Sequence, residues 1–242
     1  MIVLLTGMFR SGSTWAFNVA KAALALEARG MIAGDYRNDV GAALAELDPT
    51  FRHYLIKTHM PDRIGHMLIK HGMAATICTY RDPLDCIVSS MAVFGSGFEE
   101  TVALARGALA FLELQSKEPG ILFVDHDAIA AKPEPLVSEI ARHLGVAAGA
   151  DDVRRIAALF SKANVTRFAD KLAAGDAPGA PLSRDPDTLL HPGHIRHDPA
   201  TADQALSPAQ RRYAVEQLAG FVDPDGRLSR TLRARLEGAG AP

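Results

Sequence analysis

The chain has 242 residues, with 26 basic against 28 acidic side chains for a formal net charge of −2; 48% of its residues are apolar and 22% charged. This composition excludes a disordered chain and suits one globular domain that buries roughly 70–75% of the surface of its unfolded form. No basic excess is available to neutralise a run of phosphates, so no nucleic-acid partner is expected and any anion site must be local.

Short β-rich runs alternate with longer helical patterns along the chain, and each run ends in a polar cluster, the signature of parallel βαβ units. The strands are expected at Met1–Thr6, His53–Lys57, Ala75–Tyr80 and Gly120–Val124. Helical patterns cover Ser13–Ala28, Asp62–His71, Leu84–Phe94, Glu99–Lys117 and Glu134–Leu144; in the last, Leu136, Ile140 and Leu144 recur every four residues and Pro133 and Pro135 mark the start. The expected fold class is α/β, a three-layer α/β/α arrangement around a central, mainly parallel sheet. The opening apolar run Met1–Leu5 is too short to span a membrane and lacks the flanks of a signal peptide, so a cytoplasmic protein without an integral membrane segment is expected. Cys78 and Cys86 are too few for a disulfide framework, fit a reducing compartment, and read as small core residues.

Beyond Ala173 the composition shifts. Pro178, Pro181, Pro186, Pro192, Pro199 and Pro208 supply 6 of the 14 prolines, among His191, His194 and His197. Residues 173–207 read as a long loop or lid. Helical pattern resumes at Pro208–Phe221, and Glu237–Pro242 reads as a flexible tail. Residues 1–236 are expected to form a single domain.

The first strand runs into Gly7-Met8-Phe9-Arg10-Ser11-Gly12-Ser13-Thr14 and then a helix. Two glycines five apart followed by two hydroxyl residues have the spacing of a phosphate-cradling loop, with Ser13 where a nucleotide triphosphatase carries lysine. Backbone amides opening the helix would bind an anion, helped by the Ser11, Ser13 and Thr14 hydroxyls and the Arg10 charge. A glycine-serine turn capping a helix is the plainer alternative. The second strand delivers Lys57 and His59 to its carboxyl end, on one side of the strand, before Pro61 ends it. Open parallel sheets bind ligands at that edge, where a neutral imidazole would accept a proton from an alcohol. The third strand ends at Arg81, and Ser89 follows eight residues later on a helix, so guanidinium and hydroxyl would grip one phosphate. Pairing of Arg81 with Asp82 or Asp85 is the alternative.

The combination of Arg10 to Trp15, Lys57-Thr58-His59 and Arg81 through Ser89, with Ile121 to Leu144 as a further match, resembles the sulfotransferases that use 3′-phosphoadenosine-5′-phosphosulfate (PAPS). The resemblance implies a P-loop NTPase-like fold. It also implies transfer of a sulfuryl group from PAPS to a hydroxyl or amine, leaving adenosine 3′,5′-bisphosphate (PAP), with no metal required. By the same resemblance Ser11, Gly12, Ser13 and Thr14 would hold the 5′-phosphate and Trp15 would lie against adenine. Arg81 and Ser89, with Arg196 as a second contact, would hold the 3′-phosphate. His59 would be the general base, with Lys57 and Arg10 against the phosphosulfate. Arg10 stands where the family commonly has lysine, and His126 where it often has tyrosine. The acceptor, a small molecule, carbohydrate or lipid, is not legible; Met31–Thr50, with Asp35, Tyr36, Arg37 and Asp39, and Phe94–Glu100 are expected to line its entrance. The rival readings are a small-molecule kinase using ATP and Mg²⁺, with Asp125 as its metal-holding acid, and a nucleotide-binding protein without turnover. Neither the role of His126 nor the oligomeric state is legible, and metal binding by His191, His194 and His197 is disfavoured by the prolines around them.

Overall fold

β1 (Ile2–Gly7), apolar up to Thr6 and buried on both faces, is the middle strand of a parallel sheet. It pairs on one side with β3 (His53–Lys57), which pairs with β2 (Ile32–Tyr36), and on the other with β4 (Ala75–Tyr80), which pairs with β5 (Ile121–Asp125). The order across the sheet is β2-β3-β1-β4-β5. The computed structural model describes residues 1–28, 31–175, 184–192, 195, 201–220 and 227–240.

Side-chain alternation sends Val3, Leu5, Leu55, Ile77 and Val124 to one face of the sheet. There they pack in a cluster with α1 (Ser13–Leu24), α7 (Pro133–His143) and α8 (Ala150–Leu159). Leu4 and Ile56 face the other way, with α2 (Val40–Ala45) and α3 (Arg63–Lys70). On that same face Cys78 joins a cluster built by α4 (Pro83–Phe94), α5 (Phe98–Ser116), α11 (Pro208–Ala219) and α12 (Arg227–Gly240). A sheet buried on both faces explains why its strands read as continuous apolar runs, and the result is the expected three-layer α/β/α architecture. Cys78 and Cys86 are both buried thiols, and burial pushes each up to about 12, which leaves them inert.

β3 and β4 have the bounds expected from sequence, and α4 starts at Pro83, one residue ahead of the expected Leu84, capped by the Asp82 carboxylate, which accepts from the Leu84 and Asp85 amides. Among the described residues seven elements were not anticipated: β2, α2, α6 (His126–Ala131), α8, α9 (Lys162–Gly175), α10 (Ala202–Ala205) and α12. β2 falls within the segment expected to be an entrance loop. It is a sheet-edge strand, half-buried throughout, and its Gly34 has no side chain because the Phe17 ring occupies the space: a Cβ there would lie 2.6 Å from Phe17 Cζ.

The segment expected as a loop or lid is partly structured. α9 continues to Gly175, α10 (Ala202–Ala205) forms a short turn, and residues 184–192 form a compact turn docked on α1. Asp185 organises this turn, accepting from the Thr188 amide and hydroxyl at 2.7 and 2.6 Å. The Thr188 and Asp187 carbonyls accept from Asn18 and Lys21 of α1, each at 2.8 Å, and Leu189 joins the α1 core with a left-handed φ of 57°. A bulky residue holds that conformation only where its surroundings enforce it. At the carboxyl end α12 runs to Gly240, four residues into the stretch expected as a tail.

Candidate active site

The carboxyl ends of β1, β3 and β4 open into a cleft of about 770 Å³. β1 ends at Gly7, and the loop to α1 is braced from inside: the Ser11 hydroxyl donates to the Met8 carbonyl and meets Thr79 Oγ1 at 2.7 Å. That hydroxyl is therefore turned into the protein, away from the anion contact expected of it, and Ser11 is not among the residues that line the cleft. Arg10 adopts φ 61° and Gly12, the residue capping α1, φ 91°. That φ favours glycine at position 12, and a Cβ there would also press on the end of the Ile129 side chain. No side chain caps α1 and its first turn holds no acid, so its opening amides face the cleft, which suits an anion. Ser13, Thr14 and Trp15 line the same space; Trp15 also packs against the α1 core.

Lys57 and His59 are buried side by side, Lys57 Nζ 3.5 Å from His59 Nε2. His59 Nδ1 lies 2.9 Å from the Gly7 carbonyl oxygen. A carbonyl only accepts, so Nδ1 carries the hydrogen and Nε2 carries the lone pair, which accepts from Lys57 Nζ at 3.5 Å. The Phe9 ring rests 4.3 Å from the imidazole and holds it in that orientation. Burial, then the neighbouring Lys57 charge, pushes His59 down to about 3 against the opposing pull of the Gly7 bond. Burial, then Arg184 and Arg10, pushes Lys57 down to about 7.

At β4 the pairing differs from expectation. Arg81 Nη2 bonds Asp85 at 3.2 Å, and Ser89 Oγ accepts from Arg10 Nε at 3.0 Å, so Arg81 and Ser89 do not meet through a common partner in the free protein. Arg81, Ser89 and Arg10 nevertheless all line the cleft, and Arg81 Nε is buried without a hydrogen-bond partner. His126 also lines it; burial, then Arg81, lowers its pKa. Arg196, His194 and His197 lie outside the described residues. His191 is buried, with Nδ1 donating to the Pro192 carbonyl at 2.8 Å.

Asp125, the acid of the kinase reading, is held elsewhere. One oxygen caps α6 by accepting from the Asp127 amide at 3.0 Å and the other bonds Arg235 at 2.8 Å. Among the described residues the cleft is lined by Arg10, Lys57, Arg81, Lys162 and Arg184 and by no carboxylate. Lys162 and Arg184 were not legible as site residues: one opens an unanticipated helix, the other lies in the proline-rich segment, and only the fold brings them here.

A family profile described as Sulfotransferase domain matches residues 2–171. Among solved structures, a mouse sulfotransferase complexed with PAP aligns with a TM-score of 0.65 at 13% identity, over 96% of this chain and 88% of that one. Retinol dehydratase in complex with androsterone and inactive cofactor PAP aligns at 0.60 and 17% identity, over 93% and 81%. The same enzyme with retinol and PAP aligns at 0.61 and 16%, over 93% and 82%. Likeness at such identities is likeness of fold. No curated protein sequence matches the chain at a significant level.

Proposed function

The chain belongs to the sulfotransferase family, and from that premise we propose that it transfers a sulfuryl group from PAPS to a hydroxyl or amine of a small molecule, carbohydrate or lipid. The observation that carries the reading is the anchored, neutral His59 in a cleft that, among the described residues, is lined by cations and by no carboxylate.

In this reading the α1 amides with Ser13 and Thr14 hold the 5′-phosphate and Trp15 lies against adenine. Arg81 and Ser89 hold the 3′-phosphate. His59 Nε2 takes the proton of the acceptor hydroxyl as its oxygen bonds to sulfur. The bond from sulfur to the bridging oxygen breaks, and that oxygen keeps the electron pair as part of the 5′-phosphate of PAP. Lys57 and Arg10 meet the charge that develops on the sulfuryl and bridging oxygens. Most of the rate then comes from positioning and charge stabilisation. A cytoplasmic location is part of the proposal; no helix among the described residues is long and apolar enough to cross a membrane.

Titration of the purified protein with PAP and with ATP–Mg²⁺, followed by incubation with ³⁵S-labelled PAPS and an extract of the source organism, tests the reading. Tight PAP binding and label on an acceptor are expected. Preference for ATP–Mg²⁺ would favour a kinase, and PAP binding without transfer a non-catalytic binder. Arg81→Ala is expected to weaken PAP by about 10–100-fold, the scale of a hydrogen-bonded charge pair, and to leave adenosine 5′-monophosphate binding unchanged. Equal losses for both nucleotides would place Arg81 away from the 3′-phosphate.

A further inference from the structure

The sheet order separates two halves of the cleft. The anion-binding loop follows β1, and Arg81 and Ser89 follow β4, whereas β2 lies beyond β3 on the opposite side of His59. Tyr36 ends β2 in register with Lys57, and its ring lies 5.9 Å from that of His59. The guanidinium of Arg184 sits 4.5 Å over the Tyr36 ring. Its backbone opens the docked 184–192 turn, so the charge is delivered by an anchored segment.

Arg184 has no ion-pair partner among the described residues. The neighbouring carboxylates are committed elsewhere: Asp35 to Arg37 at 2.6 Å, Asp185 to Thr188, and Asp187 to Lys21 at 3.6 Å. Contact with an aromatic face orients a guanidinium without neutralising it. In the proposed reading Arg10 and Lys57 are matched by the phosphosulfate and Arg81 by the 3′-phosphate, whereas Arg184 stands over Tyr36 of β2, on the acceptor side of His59. Its fork of N–H donors fits the two oxygens of an oxyanion.

We propose that Arg184, shelved on Tyr36, binds an oxyanion carried by the acceptor, so that the substrate class is a hydroxy or amino compound that also bears a carboxylate, phosphate or sulfate. The inference rests on the sulfotransferase reading and extends it to the acceptor.

The test uses ³⁵S-labelled PAPS and a panel of phenols, alcohols and amines, each as a free carboxylic acid and as its neutral amide, with phosphate- and sulfate-bearing analogues, alongside PAP titration. The full-length protein is expected to label anionic members with at least about tenfold lower KM than their amides. Arg184→Gln, at an exposed position, is expected to erase that difference with PAP affinity retained, and Arg184→Lys to restore it in part. Equal use of acids and amides, no labelling of any anionic member by a protein that binds PAP, or an Arg184→Gln variant that loses PAP or donor affinity instead, would overturn the inference while leaving the donor reading intact. Failure of the protein to bind PAP would overturn the donor reading, and the inference with it.

Discussion

Replacement of His59 by alanine is expected to leave PAP binding in place and to lower turnover by about 10²–10⁴-fold, the usual scale of general-base catalysis. The geometry explains why the residue suits this role. The Gly7 carbonyl fixes the tautomer, the Phe9 ring fixes the plane, and burial keeps the imidazole neutral with Nε2 unprotonated. Because its pKa lies near 3 in the free protein, His59 remains available as a base throughout pH 5–7, and kcat/KM is expected to show no acid limb from this group in that range. Alanine also removes the donor to the Gly7 carbonyl, so His59→Asn provides the control: its amide nitrogen keeps that bond and carries no base. Comparable losses in both variants, with thermal stability retained in the asparagine form, are expected. An active asparagine variant would remove His59 from the proton transfer.

Lys57→Met is expected to lower turnover by about 10²–10³-fold, the magnitude found when one group stabilising transition-state charge is removed, and at the same time to make the free protein more stable. An ammonium group buried beside two arginines is unfavourable, as its fall to about 7 records. Methionine fills similar space without charge. The pH dependence has a defined sign. Below pH 7 the folded and unfolded chains both hold the Lys57 proton and the full cost is present. From about pH 7 to the ordinary lysine value of 10.5 only the unfolded chain holds it, so this group makes the native protein more stable as pH rises. The melting temperature of Lys57→Met should therefore exceed that of the native protein by at least about 2 °C at pH 6, and the gap should narrow by pH 9. A melting temperature below that of the native protein at pH 6 would show that Lys57 supports the fold. In the native protein the KM for PAPS is expected to rise above pH 7 as the free enzyme loses this charge, a change that Lys57→Met should not show.

Residue types at fixed offsets from apolar runs made the middle of the sheet legible. β3 and β4 ended where Lys57 and Tyr80 end their apolar runs, and Gly7 to Thr14 announced the turn into α1. β2 was missed because an edge strand of sequence Ile-Ala-Gly-Asp-Tyr has no apolar alternation to display; its stability comes from pairing with β3 and from Phe17 lying over Gly34. The same reasoning separates the site residues. Arg10, Lys57, His59 and Arg81 stand at strand ends, and a parallel sheet gathers such ends on one edge. Arg184 and Lys162 reach the cleft through the docking of distant segments, which leaves no periodic trace in the chain. The inward turn of the Ser11 hydroxyl and the bond from Arg10 to Ser89 were beyond reach for a further reason: spacing places side chains near one another but does not say which of several donors takes an acceptor.

The hydrogen bond between Arg10 and Ser89 ties the anion-binding loop to the helix that follows β4. In the proposed reading a nucleotide phosphorylated at both ends would meet a loop and a helix that are already joined, because the bond uses only Nε of Arg10 and leaves the hydroxyl hydrogen of Ser89 out of it. The spacing between the two phosphoryl positions of that reading is then set before any ligand arrives, and a nucleotide with a single phosphoryl end would use only one of them.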